Sequence, residues 1–168
     1  MERESLRLLA DGMLGRLAKW LRLLGYDTAY ENDADDLHLA RRARAEGRVL
    51  LTRDHVLAAR RGLRTLLIES EVLEEQVRQV QGTLGPPAEP PRSRCPLCNL
   101  LLEPATGAEV ADRIPPYVLR THERFRVCPG CGRVYWEGSH IEQMRQQMER
   151  FTAEGAHSRR GENGHRGD

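Results

Sequence analysis

Short apolar runs alternate with stretches of helical spacing along the first half of the chain. The runs predict four short β-strands, at residues 6–10, 28–30, 49–52 and 65–68. Helical spacing predicts four intervening or following helices, at residues 13–24, 35–45, 55–61 and 72–80. Strict alternation of strand and helix is typical of a parallel sheet whose two faces are covered by helices. We therefore predict an α/β domain with a small parallel sheet.

The first predicted helix combines an apolar stripe with a basic face. Leucines and alanine recur at helical spacing from Leu14 to Leu24, and Gly25 follows as a C-terminal cap. Arg16, Lys19 and Arg22 fall between the apolar positions. This basic face is either solvated or in contact with a phosphate, and the pattern leaves both interpretations open.

A proline-rich segment divides the chain. Residues 82–94 read GTLGPPAEPPRSR, and the four prolines exclude a helix or a central strand there. We predict an N-terminal α/β domain over 1–81, a semi-rigid linker over 82–94 and a cysteine-bearing module over 95–151. Residues 152–168 lack apolar periodicity and are expected to be a disordered tail.

Composition restricts the class of protein. The 168 residues carry a net charge of +1, so a global positive field cannot by itself explain nucleic-acid binding. No apolar run reaches the roughly 18 residues that a transmembrane helix needs, and the charged start does not resemble a secretory signal. The sequence thus predicts a cytoplasmic protein without a membrane partner.

Four cysteines form two C-x-x-C pairs, which predict a structural zinc site. Cys95 and Cys98 lie in CPLC, and Cys128 and Cys131 lie in CPGC. Two such knuckles present four thiolates tetrahedrally, which is the ligand set of a zinc ribbon. Since four protein sulfurs would close the coordination sphere, no catalysis is expected there.

Basic and aromatic residues flank the second knuckle. RFRVC and RVYWEG are predicted to be short strands. The basic and aromatic side chains together suit single-stranded RNA, although the two aromatic residues could instead pack against the knuckle or the N-terminal domain. These side chains are Arg124, Arg126, Arg133, Tyr135 and Trp136. A closing helix is predicted over 139–151, with Ile141, Met144, Met148 and Phe151 on one stripe.

Acidic residues follow the predicted strands at one edge of the sheet. Asp11 follows the first strand and Asp54 the third, while Asp35 and Asp36 precede the second helix. Each could simply cap a helix. Three carboxylates at one edge would repel each other without a cation between them, and Mg²⁺ or Mn²⁺ prefers such oxygen ligands. The implied reaction is phosphodiester hydrolysis.

Two other folds with acids at strand ends are excluded by single positions. A phosphoacceptor receiver domain needs a lysine after a later strand, but the only lysine is Lys19 in the first helix. A haloacid-dehalogenase-like phosphatase needs a second aspartate two residues after the first, where this chain has Met13.

The motifs ADGMLGRLAKWLRLLGYDT, DDLHLARRARAEGRVLLTRD and CPGCGRVYWEGSH resemble the Mut-seven C-terminal RNase family over about residues 6–145. This resemblance implies a PIN-like three-layer nuclease domain followed by a zinc ribbon, and a metal-dependent ribonuclease. It places the catalytic, Mg²⁺- or Mn²⁺-binding acids at Asp11, Asp36 and Asp54. Asp35 is an alternative to Asp36, and Glu69 is one candidate for a fourth acid.

Phosphate contacts are expected beside Asp11, where the first helix begins. Gly12 leaves space there, and Arg16 and Lys19 are candidate phosphate- and RNA-binding residues. The expected partner is RNA, either single-stranded or structured, and the sequence leaves a homodimer open. Because no fourth acid matches clearly, the alternative function is a PIN-like module of weak or no catalytic activity that binds RNA or a protein partner.

Overall fold

The computed structural model describes residues 5–137. Its N-terminal part alternates strands and helices as far as Leu84. The strands are β1 (Arg7–Ala10), β2 (Asp27–Tyr30), β3 (Val49–Thr52) and β4 (Thr65–Leu67). The helices are α1 (Gly15–Leu23), α2 (Asp36–Glu46), α3 (His55–Ala58) and α4 (Leu73–Leu84), and a 3₁₀ turn at Gly12–Leu14 precedes α1.

The four strands form one parallel sheet in the order β2-β1-β3-β4, which confirms the predicted four-stranded parallel sheet. β1 pairs with β2 from Arg7↔Asp27 to Ala10↔Tyr30 and with β3 from Leu8↔Val49 to Ala10↔Leu51. All strands run in one direction, so their carboxyl ends lie at one edge.

Alternate side chains of the strands build two apolar layers, one on each face of the sheet. Leu8, Ala10 and Leu51 pack with α1 and α4, whereas Leu9 and Leu50 pack with α2 and α3. The central strands are therefore buried on both faces and read as continuous apolar runs. Trp20 is partly buried and packs against the first of these layers.

The proline-rich segment packs closely against the end of α1. α4 continues to Leu84, beyond the boundary predicted at residue 81, and the chain then turns at Gly85. Tyr26 donates a hydrogen bond to the carbonyl of Gly85 at 2.6 Å, and the backbone N–H of Arg92 donates one to Leu23 at 3.2 Å. A Cβ on Gly25 would lie 2.2 Å from the carbonyl oxygen of Glu89, so only glycine allows this approach.

The cysteine-bearing part contains a three-stranded antiparallel sheet in the order β5-β6-β7. Its elements are β5 (Glu103–Ala105), α5 (Gly107–Val110), α6 (Pro116–Thr121), β6 (Phe125–Val127) and β7 (Val134–Trp136). β6 and β7 confirm the two predicted strands, whereas β5 and both short helices were not predicted. The closing helix predicted over 139–151 and the predicted tail lie outside the described residues.

No helix within residues 5–137 is long and apolar enough to cross a bilayer.

Candidate functional site

The carboxyl ends of the strands bring the predicted acidic residues to one edge of the sheet. Asp11 directly follows β1, and Asp54 lies two residues beyond β3, its neighbour in the sheet. The loop after β2, on the other side of β1, leads to Asp35 and Asp36. The predicted arrangement of strand ends is therefore present, although capping also uses several of these side chains.

The carboxylate of Asp11 is buried, with 5 % of the residue exposed. One oxygen, Oδ1, accepts a hydrogen bond from the backbone N–H of Met13 at 3.0 Å and thereby caps the 3₁₀ turn. The other oxygen, Oδ2, accepts a hydrogen bond from the hydroxyl of Thr52. Both interactions fix the carboxylate at the end of β1.

Asp54 is exposed and caps α3. Its Oδ1 accepts hydrogen bonds from the backbone N–H groups of Val56 at 2.8 Å and Leu57 at 3.2 Å. Its own backbone N–H donates to the hydroxyl oxygen of Thr52 at 3.0 Å. Thr52 therefore connects Asp11 to the turn that carries Asp54. Thr52 was not predicted as a site residue, although a hydroxyl at the end of an apolar strand between two acids was the available signal.

The loop after β2 approaches the turn after Asp11 closely. A Cβ on Gly12 would lie 2.5 Å from the carbonyl oxygen of Asn32. The predicted role of Gly12 was to leave room for a phosphate, but its neighbour in the structure is this backbone carbonyl. Tyr30 also donates a hydrogen bond to the carbonyl of Gly12 at 2.9 Å.

Asp35 and Asp36 differ in their surroundings. Asp35 caps α2 by accepting a hydrogen bond from the backbone N–H of His38 at 2.7 Å. Asp36 is the exposed first residue of α2. Within the described part of the chain, no hydrogen bond or ion pair engages its carboxylate, so it remains available to a ligand.

The acidic residues do not reach the spacing of ligands around one ion. Between residues 5 and 137, the four cysteines are the only group of three or more potential ligand residues whose ligand atoms all lie within 4.8 Å of one another. Glu69, the candidate fourth acid, is exposed and lines a different surface depression with Arg78 and Gln79. The structure thus places Asp11, Asp36 and Asp54 at one edge without forming a closed cation site.

The basic residues of α1 have three different environments. Arg16 is exposed and lines a cavity of about 160 Å³ together with Met13 and Arg53, next to the turn after Asp11. Arg53 also forms a 3.4 Å ion pair with Glu71. Lys19 is half-buried. Arg22 is buried, so the predicted choice between a solvated face and a phosphate contact is wrong for this residue.

The four cysteine sulfurs gather at one point and fit a zinc ion. Their Sγ atoms all lie within 4.8 Å of one another, and the Cys95 and Cys131 sulfurs are 3.9 Å apart. Tetrahedral zinc with bonds of about 2.3 Å requires sulfur separations of about 3.8 Å. Burial, followed by hydrogen bonds that the Cys98 thiol donates to Cys131 and Cys128, raises the pKa of Cys98 to about 12. A bound cation would reverse that preference and hold the thiolate forms.

The two knuckles have the same backbone geometry. The N–H of Asn99 donates to the Cys95 carbonyl at 2.9 Å, and the N–H of Gly132 donates to the Cys128 carbonyl at the same distance. Both fifth residues have positive φ, 65° for Asn99 and 73° for Gly132. Glycine and asparagine are the residues that adopt this conformation most readily.

Tyr135 lies against the sulfur cluster. Its hydroxyl oxygen is 3.2 Å from the sulfur of Cys95. Burial and this hydrogen bond raise the pKa of Tyr135, so the hydroxyl stays protonated and can donate to a thiolate. Trp136 packs with the apolar cluster of the same module. Both aromatic residues therefore pack within the module, and Tyr135 also lines a cavity on its surface.

The first knuckle is attached to the parallel sheet by two polar side chains that the sequence analysis did not identify. Arg22 donates hydrogen bonds to the carbonyls of Thr28 at 2.8 Å and Pro96 at 2.9 Å. The side chain of Asn99 accepts from the N–H of Thr28 at 2.9 Å and donates to Asp27 at 2.7 Å. Burial lowers the pKa of Arg22, and the thiolate forms of Cys95 and Cys98 would partly oppose that effect.

Comparison with known proteins identifies the family of the chain. No curated protein and no solved structure matches the sequence significantly. The family model of the Mut7-C RNAse domain matches residues 6–148, a segment that covers the parallel sheet and the four cysteines. The chain therefore belongs to the Mut7-C RNAse domain family.

Proposed function

We propose that the protein is a metal-dependent ribonuclease that hydrolyses RNA phosphodiester bonds at the carboxyl edge of the parallel sheet. The Mut7-C RNAse domain match supports a nuclease-like activity, and a PIN-like arrangement of the N-terminal domain is part of the proposal. The observation that carries the proposal is the connection of Asp11 to the turn bearing Asp54 through the buried hydroxyl of Thr52.

Asp11, Asp36 and Asp54 are the proposed ligands of Mg²⁺ or Mn²⁺. Asp11 offers a fixed carboxylate, Asp36 an unengaged one, and Asp54 retains the oxygen that does not cap α3. A divalent cation bound there would lower the pKa of a coordinated water and neutralise charge on the phosphate. Asp35 remains the alternative to Asp36, and Glu69 remains a candidate fourth acid.

Positive charge next to Asp11 is the proposed phosphate contact. Arg16 and Arg53 line one small cavity beside the turn that begins at Asp11. Guanidinium groups form paired hydrogen bonds with phosphate oxygens. In this proposal Arg16 binds a phosphate next to the cleaved bond, and Lys19 and Gly12 contribute to the same surface. The ion pair with Glu71 keeps Arg53 in place.

The cysteine module is proposed to hold one structural zinc ion and to keep the sheet and the ribbon in a fixed arrangement. Four sulfurs close the coordination sphere, so the zinc contributes to folding and not to hydrolysis.

Cleavage of single-stranded and structured RNA by the purified protein with Mn²⁺ tests the proposal. Asp11→Asn and Asp54→Asn should each reduce cleavage by at least about 100-fold, because each removes a proposed ligand charge while keeping the shape of the side chain. Asp112→Asn is the matched control, since Asp112 is highly exposed on the cysteine module. Full activity in both site variants would refute the assignment.

A second function, an RNA-binding module of weak or no catalytic activity, is favoured by one observation. The ligand atoms of Asp11, Asp36 and Asp54 do not form a set within 4.8 Å in the described part of the chain. That function predicts RNA binding that survives Asp54→Asn and no heat of binding for Mn²⁺ at millimolar concentration. Titration calorimetry of the wild-type protein with Mn²⁺ separates the two.

A further inference from the structure

A cavity of about 400 Å³ lies between the end of α1 and the ribbon sheet. The antiparallel register places Pro104, Arg126 and Tyr135 side by side in one row across the ribbon sheet. The neighbouring row, with Phe125 and Trp136, belongs to the apolar cluster of the module and also lines the cavity. We name the cavity the ribbon groove; on the opposite side it is lined by Leu23, Arg92, Arg94 and Pro96.

The ribbon groove is predominantly basic. Four arginines line it, Arg92, Arg94, Arg124 and Arg126, against two carboxylates, Glu123 and Glu137. Arg94 donates to the carbonyl of Asn99 at 2.9 Å, but its Nε is buried and has no acceptor in the described part of the chain. Arg124 and Arg126 are exposed, and neither forms an ion pair with a carboxylate of residues 5–137.

Apolar and aromatic groups lie between these charges. Leu23, Pro104 and the ring of Tyr135 line the same groove. The hydroxyl of Tyr135 contacts the sulfur of Cys95, which holds the ring in place. Fixed rings beside arginines are the arrangement by which proteins hold the unpaired bases of single-stranded RNA while neutralising the backbone. A cavity of this size lies within the range of about 300–1,000 Å³ that small-molecule sites occupy.

We propose that the ribbon groove binds an unpaired nucleotide of a single-stranded RNA, with its base against Tyr135 and Pro104 and its phosphates at Arg124 and Arg126. This inference rests on the proposed ribonuclease function for the identity of the ligand, but it concerns a separate site. The groove adjoins Leu23, the last residue of α1, whereas Asp11 lies before the first residue of that helix.

The separation of the two sites sets a requirement on the substrate. α1 has 9 residues, so it is about 14 Å long. Stacked nucleotides advance about 3.4 Å each along a strand, so at least about four would be needed to span that length. RNA that occupies both sites must therefore have a single-stranded segment of several nucleotides, and shorter RNA can reach only one of them.

Binding of labelled oligouridine of about 12 nucleotides tests the groove apart from cleavage, when measured by fluorescence anisotropy without added Mg²⁺ or Mn²⁺. The double variant Arg124→Ala/Arg126→Ala should weaken binding by at least about tenfold. The slope of log K against log salt concentration should also become shallower by about 1.4, because two phosphate contacts are lost. The double variant Arg60→Ala/Arg61→Ala is the control, because it removes two exposed arginines of the N-terminal domain that do not line the groove. It should change affinity by less than about twofold.

Equal losses in the two double variants would overturn the groove and leave only general attraction between charges. Absence of wild-type binding would also overturn it, and so would equal affinity for a blunt duplex of the same length. The two proposals can fail separately: groove-dependent binding without Mn²⁺-dependent cleavage refutes only the ribonuclease, whereas cleavage with equal losses in both double variants refutes only the groove. If both hold, the groove variant should slow cleavage of the long RNA and leave cleavage of a trinucleotide unchanged.

Discussion

The hydroxyl of Thr52 donates a hydrogen bond to the carboxylate of Asp11, and Thr52 is completely buried. The same oxygen accepts a hydrogen bond from the backbone N–H of Asp54 at 3.0 Å. One side chain at the end of β3 thus fixes the acid that follows β1 relative to the turn carrying the acid that follows β3. This relationship makes the two acids a unit that a single substitution can disturb.

Thr52→Val should weaken both the fold and the site. Valine has nearly the shape of threonine but cannot hydrogen-bond, so the N–H of Asp54 and one oxygen of Asp11 would lose their partner. The expected loss in free energy of unfolding is about 1–3 kcal/mol, measured by urea denaturation. Affinity for Mn²⁺, measured by calorimetry, should fall in parallel.

Thr52→Ser is the matched control, since it retains the hydroxyl and removes only a methyl group. It should preserve Mn²⁺ binding better than Thr52→Val. Equal Mn²⁺ affinity in the two variants would show that the hydroxyl does not position the acids.

The position of the acids was predictable from sequence, but their detailed environment was not. Apolar runs and the direction of parallel strands were enough to place Asp11 and Asp54 at one edge. Helix capping was the other role that the sequence indicated for these acids. In the structure Asp11 and Asp54 each cap a helical turn and also lie at the edge of the sheet. The Thr52 connection depends on the lateral pairing of β1 with β3, which a local pattern does not encode.

Gly12→Ala should destabilise the protein although glycine is usually the less stable choice. A Cβ there would lie 2.5 Å from the carbonyl oxygen of Asn32, and backbone atoms cannot swing aside as a flexible side chain can. We expect a loss of about 1–3 kcal/mol in the free energy of unfolding. The loop that leads to Asp35 and Asp36 must also shift, so Mn²⁺ binding should weaken.

Gly82→Ala should instead increase the free energy of unfolding in the same measurement. Gly82 lies inside α4, and nothing is within 4 Å of the position its Cβ would take. Alanine is favoured over glycine in helices by about 1 kcal/mol, so this variant should be more stable than the wild type. Destabilisation by Gly82→Ala, or none by Gly12→Ala, would contradict the close approach as the reason for glycine at position 12.

The cysteine motif correctly predicted that the four sulfurs gather at one point, yet it did not predict how this cluster is attached to the sheet. Arg22 follows the apolar stripe of α1 at a position that suggested an exposed basic face. Its burial depends on carbonyls of the first knuckle, more than seventy positions along the chain. For Asn99 a signal existed: it occupies the position that Gly132 has in the second knuckle, and an asparagine there has a side chain free to make contacts.

Asn99→Gly should make the thermal stability of the parallel sheet less dependent on zinc binding. Glycine adopts the positive φ of this position easily, so the knuckle should still bind zinc. The hydrogen bonds of the Asn99 side chain to Thr28 and Asp27 would be lost. In the wild type, removal of zinc by a chelator should lower the Tm of the whole described unit, and in Asn99→Gly the decrease should be smaller.

Zinc content measured by metal analysis distinguishes this outcome from simple loss of the metal site. Gly132→Asn is the reciprocal control, because asparagine tolerates the positive φ of the second knuckle and its Cβ would lie near Arg113 of the same module, 3.6 Å away, and not near the parallel sheet. A full decrease in Tm on zinc removal from Asn99→Gly would indicate that Arg22 alone transmits the stabilisation.

Stability should decrease in acid through Asp27. Burial by itself would raise the pKa of this carboxyl, but hydrogen bonds from Arg48 and Asn99 outweigh burial and lower the pKa below its ordinary value of 3.8. A carboxyl with a lowered pKa in the folded state contributes stability that is present above its unfolded pKa and lost as the pH falls through the folded one. The contribution of Asp27 should therefore be complete at neutral pH and disappear progressively below about pH 4.

Urea denaturation of wild type and Asp27→Asn across this range measures the effect. The variant should be less stable near pH 7, where the wild type has its ion pair with Arg48 at 2.8 Å. The difference between the two proteins should narrow as the pH falls below about 4, because protonation then removes the same charge from the wild type. Asp112→Asn, at a highly exposed position, should follow the wild type throughout. A difference between wild type and Asp27→Asn that stays constant with pH would mean that the charge of Asp27 does not stabilise the contact between sheet and knuckle.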